Sequence, residues 1–483
     1  MQSESPIIQT VHFMAPKKTT VTIIDLPPDA VFKAYDIRGT TPDQLTPAFA
    51  CRLGLALAKH ARAEEIDTLV IGRDGRSSSL SLAQSLQRGL MAGGINTIDL
   101  GCVPTPLVYF AAHVKQTGSG VAITGSHNPP AYNGFKIMMG GKSLHGADIQ
   151  ALKRTMACVS EHADTAPGTR QAIDLVDTYI QRISGDVKLD RPLKIAIDCG
   201  NGVGGAVAPK LFKALGCEVI ELFCNVDGRF PNHHPDPAEP ENLRDLIECV
   251  KTSDCDLGLA FDGDADRLGV VAKSGEIIWP DRQLILYARD VLQRIAGATI
   301  IFDVKCSRHL ASAIRTAGGQ PLMWRTGHSL MKAKLAQTGA PLAGEMSGHI
   351  FFQERWFGFD DGLYAGARLL EILSRHDDPS AVLHALPQGI STPELKLVMQ
   401  EGEPHALIKR LQDNGQFPRA QSINTLDGVR VDYCDGFGLA RASNTTPVVV
   451  LRFEGDTQDA LECIQDEFRQ ALMALAPTAL LPF

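Results

Sequence analysis

Short apolar runs of strand length alternate with longer amphipathic stretches along most of the chain. DTLVIGRD (67–74) leads into the helical LAQSLQRGLMAGG and then INTIDLG (95–101). KIAIDCGN (194–201) precedes AVAPKLFKALG and CEVIELF. DLGLAFDGD (256–264) is followed by GVVAKSGEIIW and the helical QLILYARDVLQRI, and TIIFDVKCS (299–307) by HLASAIRTAGG and PLMWRTGHS. Such alternation predicts α/β layers with mostly parallel strands. The last segment departs from it: a helical HALIKRLQDNG, the strands GVRVDYC and PVVVLRFEG, and a closing helix.

The expected organisation is three similar α/β domains with mixed, mostly parallel sheets and a smaller C-terminal α+β domain. Seams are placed near TAPGTR (165–170), WPDRQ (279–283) and LPQGISTPEL (386–395). The expected domains are therefore 29–168, 169–279, 280–388 and 389–483, after a poorly ordered extension over 1–28. A length of 483 residues is enough for three or four domains.

With 44% hydrophobic and 21% charged residues the composition is that of a globular protein. A net charge of −8 argues against a nucleic-acid partner, whose footprint is a basic stripe. The eleven cysteines lie between Cys51 and Cys463 with no Cys-x-x-Cys pair, which fits reduced thiols and a cytoplasmic protein. No apolar run reaches the ~18–20 residues of a membrane span. The N-terminus lacks the basic and apolar regions of a signal peptide. A monomer with no membrane partner is expected.

The polar loops after the apolar runs carry the candidate chemistry. In AFDGDADRLG (260–269), Asp262, Asp264 and Asp266 follow a strand at alternate positions, so an extended loop presents all three carboxylates on one side. Their repulsion is relieved by a divalent cation, and all-oxygen ligands suit Mg²⁺. A calcium EF-hand would need Gly and Glu where Arg267 and Lys273 stand, and a D-x-D-x-T/V phosphatase would need Thr or Val at Asp266. VAITGSHNPPAYNGFK (121–136) sets Ser126 and His127 in a loop with Lys136 beyond it; Ser126 reads either as a turn residue or as a nucleophile. PLAGEMSGHIFF (341–352) alternates Glu345, Ser347 and His349, a spacing suited to sugar hydroxyls. LARASNTTPVVV (439–450) gathers Arg441, Ser443, Asn444 and Thr445, either a phosphate cradle or an Asx-type turn.

Two further stretches invite other readings. IDCGNGVGG (197–205) satisfies G-x-G-x-x-G through Gly200, Gly202 and Gly205, with Glu218 or Glu221 near the acidic position of a dinucleotide site. Nothing else in the chain calls for a hydride carrier, and a tight strand–helix turn uses Gly for backbone reasons. PNHHPDPAEPENL (231–243) offers His233 and His234, but adjacent side chains diverge and the prolines suggest a rigid interdomain connection.

TGSHNPP, DGDADR, GEMSGH and RASNTTP, in this order and at these separations, closely resemble the α-D-phosphohexomutase superfamily, and most nearly its bacterial phosphomannomutase/phosphoglucomutase branch. FKAYDIRG (32–39), DVKCS (303–307), RTGHSLMK (325–332) and PNHHPDP add to the likeness, which runs from about residue 30 to the C-terminus. The resemblance implies four domains around a central cleft, each contributing one loop. It implies a phosphoserine at Ser126, with Mg²⁺ held by Asp262, Asp264, Asp266 and that phosphate. Glu345 and Ser347 would hold sugar hydroxyls, and Arg441, Ser443, Asn444 and Thr445 the non-reacting phosphate. Arg267 and Lys136 would neutralise the transferring group, and Lys136, His127 and His328 are the proton-transfer candidates, Lys136 needing a lowered pKa to act as a base. Tyr35, Arg38, Lys305 and His349 would be further contacts.

The implied reaction interconverts hexose 1-phosphates and hexose 6-phosphates through a hexose 1,6-bisphosphate that also primes the enzyme, supplying nucleotide sugars for polysaccharide. The phosphoglucosamine branch generally resembles this pattern with Gln at Met346 and Ala at Gly125, so both positions favour mannose and glucose. Ala265 stands where Gly is frequent, as a spacer. The alternatives are a Mg²⁺-dependent sugar-phosphate phosphatase using the same loops and a non-catalytic sugar-phosphate sensor.

Overall fold

The computed structural model describes residues 29–159, 165–444 and 446–483; the expected N-terminal extension and Thr445 lie outside the described residues. The chain divides into two compact units, one reaching to Gly275 and including Asp361–Ser374, the other made of Glu276–Asp360 and Arg375–Phe483.

In the first unit, one mixed sheet runs in the order Ile37–Thr40, Tyr132–Met139, Gly120–Ile123, Thr68–Arg73, Asn96–Cys102, Arg170–Ala172. The last four are parallel neighbours, and Tyr132–Met139 is antiparallel to both strands beside it. Strands such as Gly120–Ile123 are buried throughout, which explains their unbroken apolar character. The helix Pro47–Ala63 starts where Thr46 Oγ1 accepts from Phe49 N at 3.0 Å with proline in the first turn. Its Phe49, Leu53 and Leu57 join Leu86 and Leu90 of Ser79–Ala92 and Ile71, Val121 and Phe135 of the sheet in one core.

The second sheet of this unit includes Leu268–Ala272, Leu257–Phe261, Lys194–Asp198 and Glu218–Leu222 in that order. Leu257–Phe261 is parallel to Lys194–Asp198 and antiparallel to Leu268–Ala272. Two elements cross the expected seams. The strand Arg170–Ala172 extends the first sheet beyond residue 168, because its backbone pairs with Thr97–Asp99. The helix Gly362–Leu373 groups with the first unit, since it packs on Leu268–Ala272 and Leu257–Phe261.

In the second unit, Thr299–Asp303 lies between parallel Gln320–Trp324 and Leu342–Gly344, with antiparallel Ile350–Phe352 at the edge. The C-terminal sheet is antiparallel: Ile390–Ser391, Val448–Gly455, Gly436–Ala442, Val429–Tyr433, Ser422–Asn424, with Leu395–Val398 also on Val448–Gly455. Leu407 and Leu411 of the helix Glu403–Asn414, and Ile464 and Phe468 of Gln458–Leu475, close its core. The polar loops predicted to carry chemistry leave the carboxyl ends of buried strands, Gly120–Ile123, Leu257–Phe261 and Leu342–Gly344 among them, where open α/β sheets place ligands.

The crossing of Pro47–Ala63 and Ser79–Ala92 depends on two glycines. A Cβ on Gly54 would fall 2.2 Å from Leu86 O, and one on Gly89 2.0 Å from Cys51 O. Gly89→Val should therefore force the helices apart at a cost of about 2–3 kcal/mol. A thermal or denaturant midpoint lowered by this variant checks the packing; an unchanged midpoint refutes it.

Candidate functional site

The acidic loop comes first because its burial is unusual. Asp262, Asp264 and Asp266 have no measurable exposure, and an oxygen of each lies within 4.8 Å of the others. Asp262 Oδ1 accepts from Asp266 N at 3.1 Å and Arg267 N at 3.2 Å, curling the loop so that its carboxylates converge. Pro235 O accepts from Gly263 N at 3.1 Å, and Ala265 O from Gly362 N at 3.2 Å, which fix the loop from two sides. Burial, then the charges of Asp266 and Asp264, push the Asp262 carboxyl well above the ordinary aspartate value.

Lys136, on the strand Tyr132–Met139, enters this cluster from the first sheet. Its Nζ donates to Asp264 Oδ2 at 2.7 Å and Asp266 Oδ2 at 2.5 Å. Burial alone would lower its pKa, but Asp264 and Asp266 outweigh burial and hold it well above the ordinary lysine value. The direction is opposite to the lowering expected of a base, and it is set by the same two carboxylates that a cation would engage. Arg267 adds a second cation, with Nε 3.8 Å from Asp262 Oδ2 and Nη1 3.9 Å from Asp236 Oδ1.

A divalent cation fits this arrangement. The donors are all carboxylate oxygens, two nearby cations face three acids, and Asp264 Oδ1 is buried with no hydrogen-bond partner among the described residues.

The Ser126 loop meets the acidic loop directly. Ser126 Oγ donates to Asp262 Oδ2 at 3.1 Å and lies 3.1 Å from His127 Nδ1. Ser126 is 2% exposed, with φ of 49°. Left-handed backbone at a non-glycine residue costs on the order of 1 kcal/mol. Arg38 Nη1 donates to Asn128 Oδ1 at 2.5 Å, tying Ile37–Thr40 to the same loop, and Tyr35 is half-buried just before that strand. Ser126, His127, Lys136, Arg38, Arg267 and the three aspartates thus come together in the first unit.

The remaining predicted residues lie in the second unit. Glu345 Oε1 accepts from Gly327 N at 2.5 Å, Glu345 Oε2 lies 3.0 Å from His349 Nδ1, and Ser347 Oγ lies 3.1 Å from the same nitrogen. Burial would raise the Glu345 carboxyl, but the His349 contact and the Gly327 N–H outweigh it and keep it below the ordinary value. The His328 and His349 rings are 5.7 Å apart, and His328 Nδ1 is 3.6 Å from Asp360. Lys305 Nζ donates to Glu394 at 2.6 Å. Arg441 Nε donates to Asp427 Oδ2 at 3.1 Å, and Ser443 Oγ is 3.1 Å from Thr446 Oγ1; Asn444 follows in the same loop.

Sequence reasoning missed several supporting residues. Thr105 Oγ1 donates to Asp264 Oδ2 at 2.6 Å, from the start of the helix Thr105–Val114, with no motif to announce it. Asp74 and Arg76 hold the Ser126 loop; the repeated charge in GRDGR (72–76), directly after a strand, was the available signal. PNHHPDP is no interdomain connection. It folds within the first unit, where His233 Nε2 lies 3.0 Å from Asp198 Oδ2 and Pro235 braces the acidic loop. The glycine fingerprint serves the same contact, since a Cβ on Gly202 would fall 2.9 Å from Gly263 Cα.

Sequence models of one family match the chain in four consecutive segments. Phosphoglucomutase/phosphomannomutase alpha/beta/alpha domain I matches residues 29–162, domain II 177–275, domain III 279–389, and the C-terminal domain 394–471. The chain belongs to the phosphoglucomutase/phosphomannomutase family. A phosphoglucomutase of Neisseria gonorrhoeae is 56% identical over 446 residues, covering 92% of this chain and 96% of the relative. A phosphomannomutase/phosphoglucomutase of Pseudomonas aeruginosa is 52% identical over 459 residues, covering 94% and 98%. The crystal structure of a family protein from Burkholderia thailandensis, 54% identical, superimposes with a TM-score of 0.90 over 95% of this chain and 100% of that one.

Cation binding should depend on pH with a definite sign. Because the folded Asp262 pKa is raised above 3.8, the metal-free chain binds this proton more tightly than the unfolded chain does. The stability this confers is complete below that value and is lost as pH rises through the folded pKa. A divalent cation held by these carboxylates would replace the proton, so its thermal stabilisation should be larger at about pH 8 than at about pH 5. Melting curves with and without chelator check this, and Asp262→Asn should abolish most of the increment; a pH-independent increment contradicts it.

Proposed function

We propose that the protein interconverts hexose 1-phosphates and hexose 6-phosphates of mannose and glucose through a phosphoserine at Ser126. The observation carrying this reading is a buried serine hydroxyl 3.1 Å from one of three converging carboxylates, with Lys136 bridging the other two. The names of the relatives, phosphoglucomutase and phosphomannomutase/phosphoglucomutase, support the choice of sugars.

In the forward half-reaction the P–Oγ bond at Ser126 breaks and a P–O6 bond forms on the hexose 1-phosphate, the O6 proton going to a base while Ser126 Oγ takes up a proton. The resulting hexose 1,6-bisphosphate turns over, Ser126 Oγ gives up its proton and takes the phosphoryl group as the P–O1 bond breaks, and O1 is protonated, leaving hexose 6-phosphate. The same bisphosphate loads a bare serine and so acts as primer. Phosphoryl transfer asks little of the protein besides alignment and charge neutralisation. Asp262, Asp264 and Asp266, with the phosphate on Ser126, would hold Mg²⁺, which supplies charge neutralisation when bound.

Lys136, paired with Asp264 and Asp266, is assigned with Arg267 to neutralising the transferring group. Lys136, His328 and His127, the last in contact with Ser126 Oγ, are the proton-transfer candidates. Glu345, Ser347 and His349 are assigned to sugar hydroxyls. Arg441, Ser443, Asn444 and Thr445 are assigned to the non-reacting phosphate, and Tyr35, Arg38 and Lys305 to further substrate contacts.

Eleven cysteines remain as thiols, in keeping with a reducing cytoplasm. No helix among the described residues is long and apolar enough to cross a membrane. We take the partners to be small sugar phosphates, with no nucleic acid, and the working form to be a monomer supplying nucleotide-sugar and polysaccharide synthesis.

Ser126→Ala should lower turnover by on the order of 10⁴-fold or more, the scale of removing a nucleophile, without unfolding the chain. A coupled assay of mannose 1-phosphate, glucose 1-phosphate and glucosamine 1-phosphate, with inorganic phosphate measured in parallel, tests the whole reading. Isomer formation with mannose and glucose substrates is expected. Phosphate release in its place indicates a phosphatase, and full activity in the alanine variant removes Ser126 as nucleophile.

A further inference from the structure

Arg76 is among the largest side chains in the protein with almost no exposure, at 2%. A buried guanidinium is tolerated only when its charge is balanced and its five N–H groups find acceptors. Asp74 supplies the balance, with Oδ2 accepting from Arg76 Nε at 3.1 Å. The other donors are spent on the Ser126 loop. Nη1 donates to Pro129 O at 2.5 Å and Tyr132 O at 3.0 Å, and Nη2 to Ser126 O at 2.8 Å and Asn128 O at 2.6 Å.

Asp74 completes the clamp, because its Oδ2 also accepts from Gly125 N at 3.0 Å and its Oδ1 from Ser79 Oγ at 2.5 Å. The Phe230 ring lies 4.9 Å from the guanidinium carbon. A Cβ on Gly125 would fall 2.4 Å from that carbon, so the loop lies directly against the guanidinium. None of these contacts involves Ser126 Oγ. The four Arg76 bonds and the Gly125 N–H bond act on the backbone around Ser126, a residue with left-handed φ whose Oγ donates to Asp262.

We propose that Arg76 is a positioning residue for the phosphoryl acceptor, its fork holding the four loop carbonyls so that Ser126 Oγ keeps its aim as the phosphoryl group comes and goes. A lysine cannot replace it, because an ammonium is a point charge without the planar fork that reaches four acceptors. The inference rests on the phosphoserine reading of Ser126.

The test is Arg76→Lys in the full chain, with Phe230→Leu as a milder variant that leaves the fork in place. Three quantities are read: steady-state kinetics, the rate at which dephosphorylated Ser126 takes up phosphate from glucose 1,6-bisphosphate, and amide hydrogen exchange. Arg76→Lys should lower kcat and the uptake rate by about 100-fold, the scale of a misplaced reacting atom. KM should stay within about threefold, because the substrate-binding groups are untouched. Exchange should rise across residues 124–132 and stay unchanged in Leu257–Phe261, and Phe230→Leu should shift the same quantities by a few-fold. Wild-type uptake and exchange in Arg76→Lys overturns the inference. So does increased exchange throughout the unit, which marks loss of stability in place of loss of aim. If the unsubstituted protein takes up no phosphate at Ser126, the phosphoserine reading fails, whatever the exchange around Arg76.

Discussion

Three buried carboxylates within one short loop are the constraint from which the first unit's other features follow. Asp262, Asp264 and Asp266 repel one another in a setting that water cannot screen. Lys136 relieves part of that repulsion, but it sits on a strand of a different sheet, so the two sheets of the unit must meet at this point. Lys136 and Arg267 together leave an acidic excess, and that excess is the attraction for a cation. A phosphate on Ser126 would add negative charge beside it, where a divalent ion has both sets of oxygens to bind.

Bringing the loops this close is a backbone problem before it is a chemical one. A Cβ on Gly263 would fall 2.3 Å from Ser126 O, so the acidic loop can approach the serine only through a residue without a side chain. Asp198 holds His233, and the chain after His233 brings Pro235 O to Gly263 N. Thr105 reaches Asp264 from a helix start, and Gly362 N reaches Ala265 O from another. The acidic loop is thus held by segments far apart in sequence, and a shift in any of them moves a carboxylate.

That division decides what could be read from the sequence. Alternating apolar runs gave the strands and helices, and the period-two aspartates and the TGSHNPP stretch marked two loops that the fold brings together, because local pattern is written in contiguous letters. The supporting contacts are not. Thr105 looks like any helix-start threonine until Asp264 is beside it, and Arg76 like any surface arginine until its fork meets the carbonyls of residues 126–132. The glycines of IDCGNGVGG mimic a dinucleotide fingerprint because close backbone approach demands the same residue whatever approaches. Lys136 lies beside the acidic loop, and the sign of its pKa shift depends on two acids that are distant in the chain. The strand Arg170–Ala172 and the helix Gly362–Leu373 crossed expected seams for the same reason: their partners are set by tertiary pairing.

Two left-handed residues separate what the chemistry requires from what the fold tolerates. Ser126 has φ of 49° and Ala265 φ of 60°. Each pays a steric penalty on the order of 1 kcal/mol that glycine would avoid. At Ala265 the side chain touches no ligand group: its methyl lies 3.0 Å from where a Cβ on Gly204 would sit, so that glycine makes room for it. At Ser126 glycine would remove the strain and the hydroxyl together. A strained serine, braced by Asp74, Thr124 and Arg76 through backbone atoms, leaves its hydroxyl to Asp262 and His127, as the proposed phosphoserine role would need. The strain at Ala265 is incidental to the turn, whereas the strain at Ser126 is the cost of aiming an oxygen at Asp262.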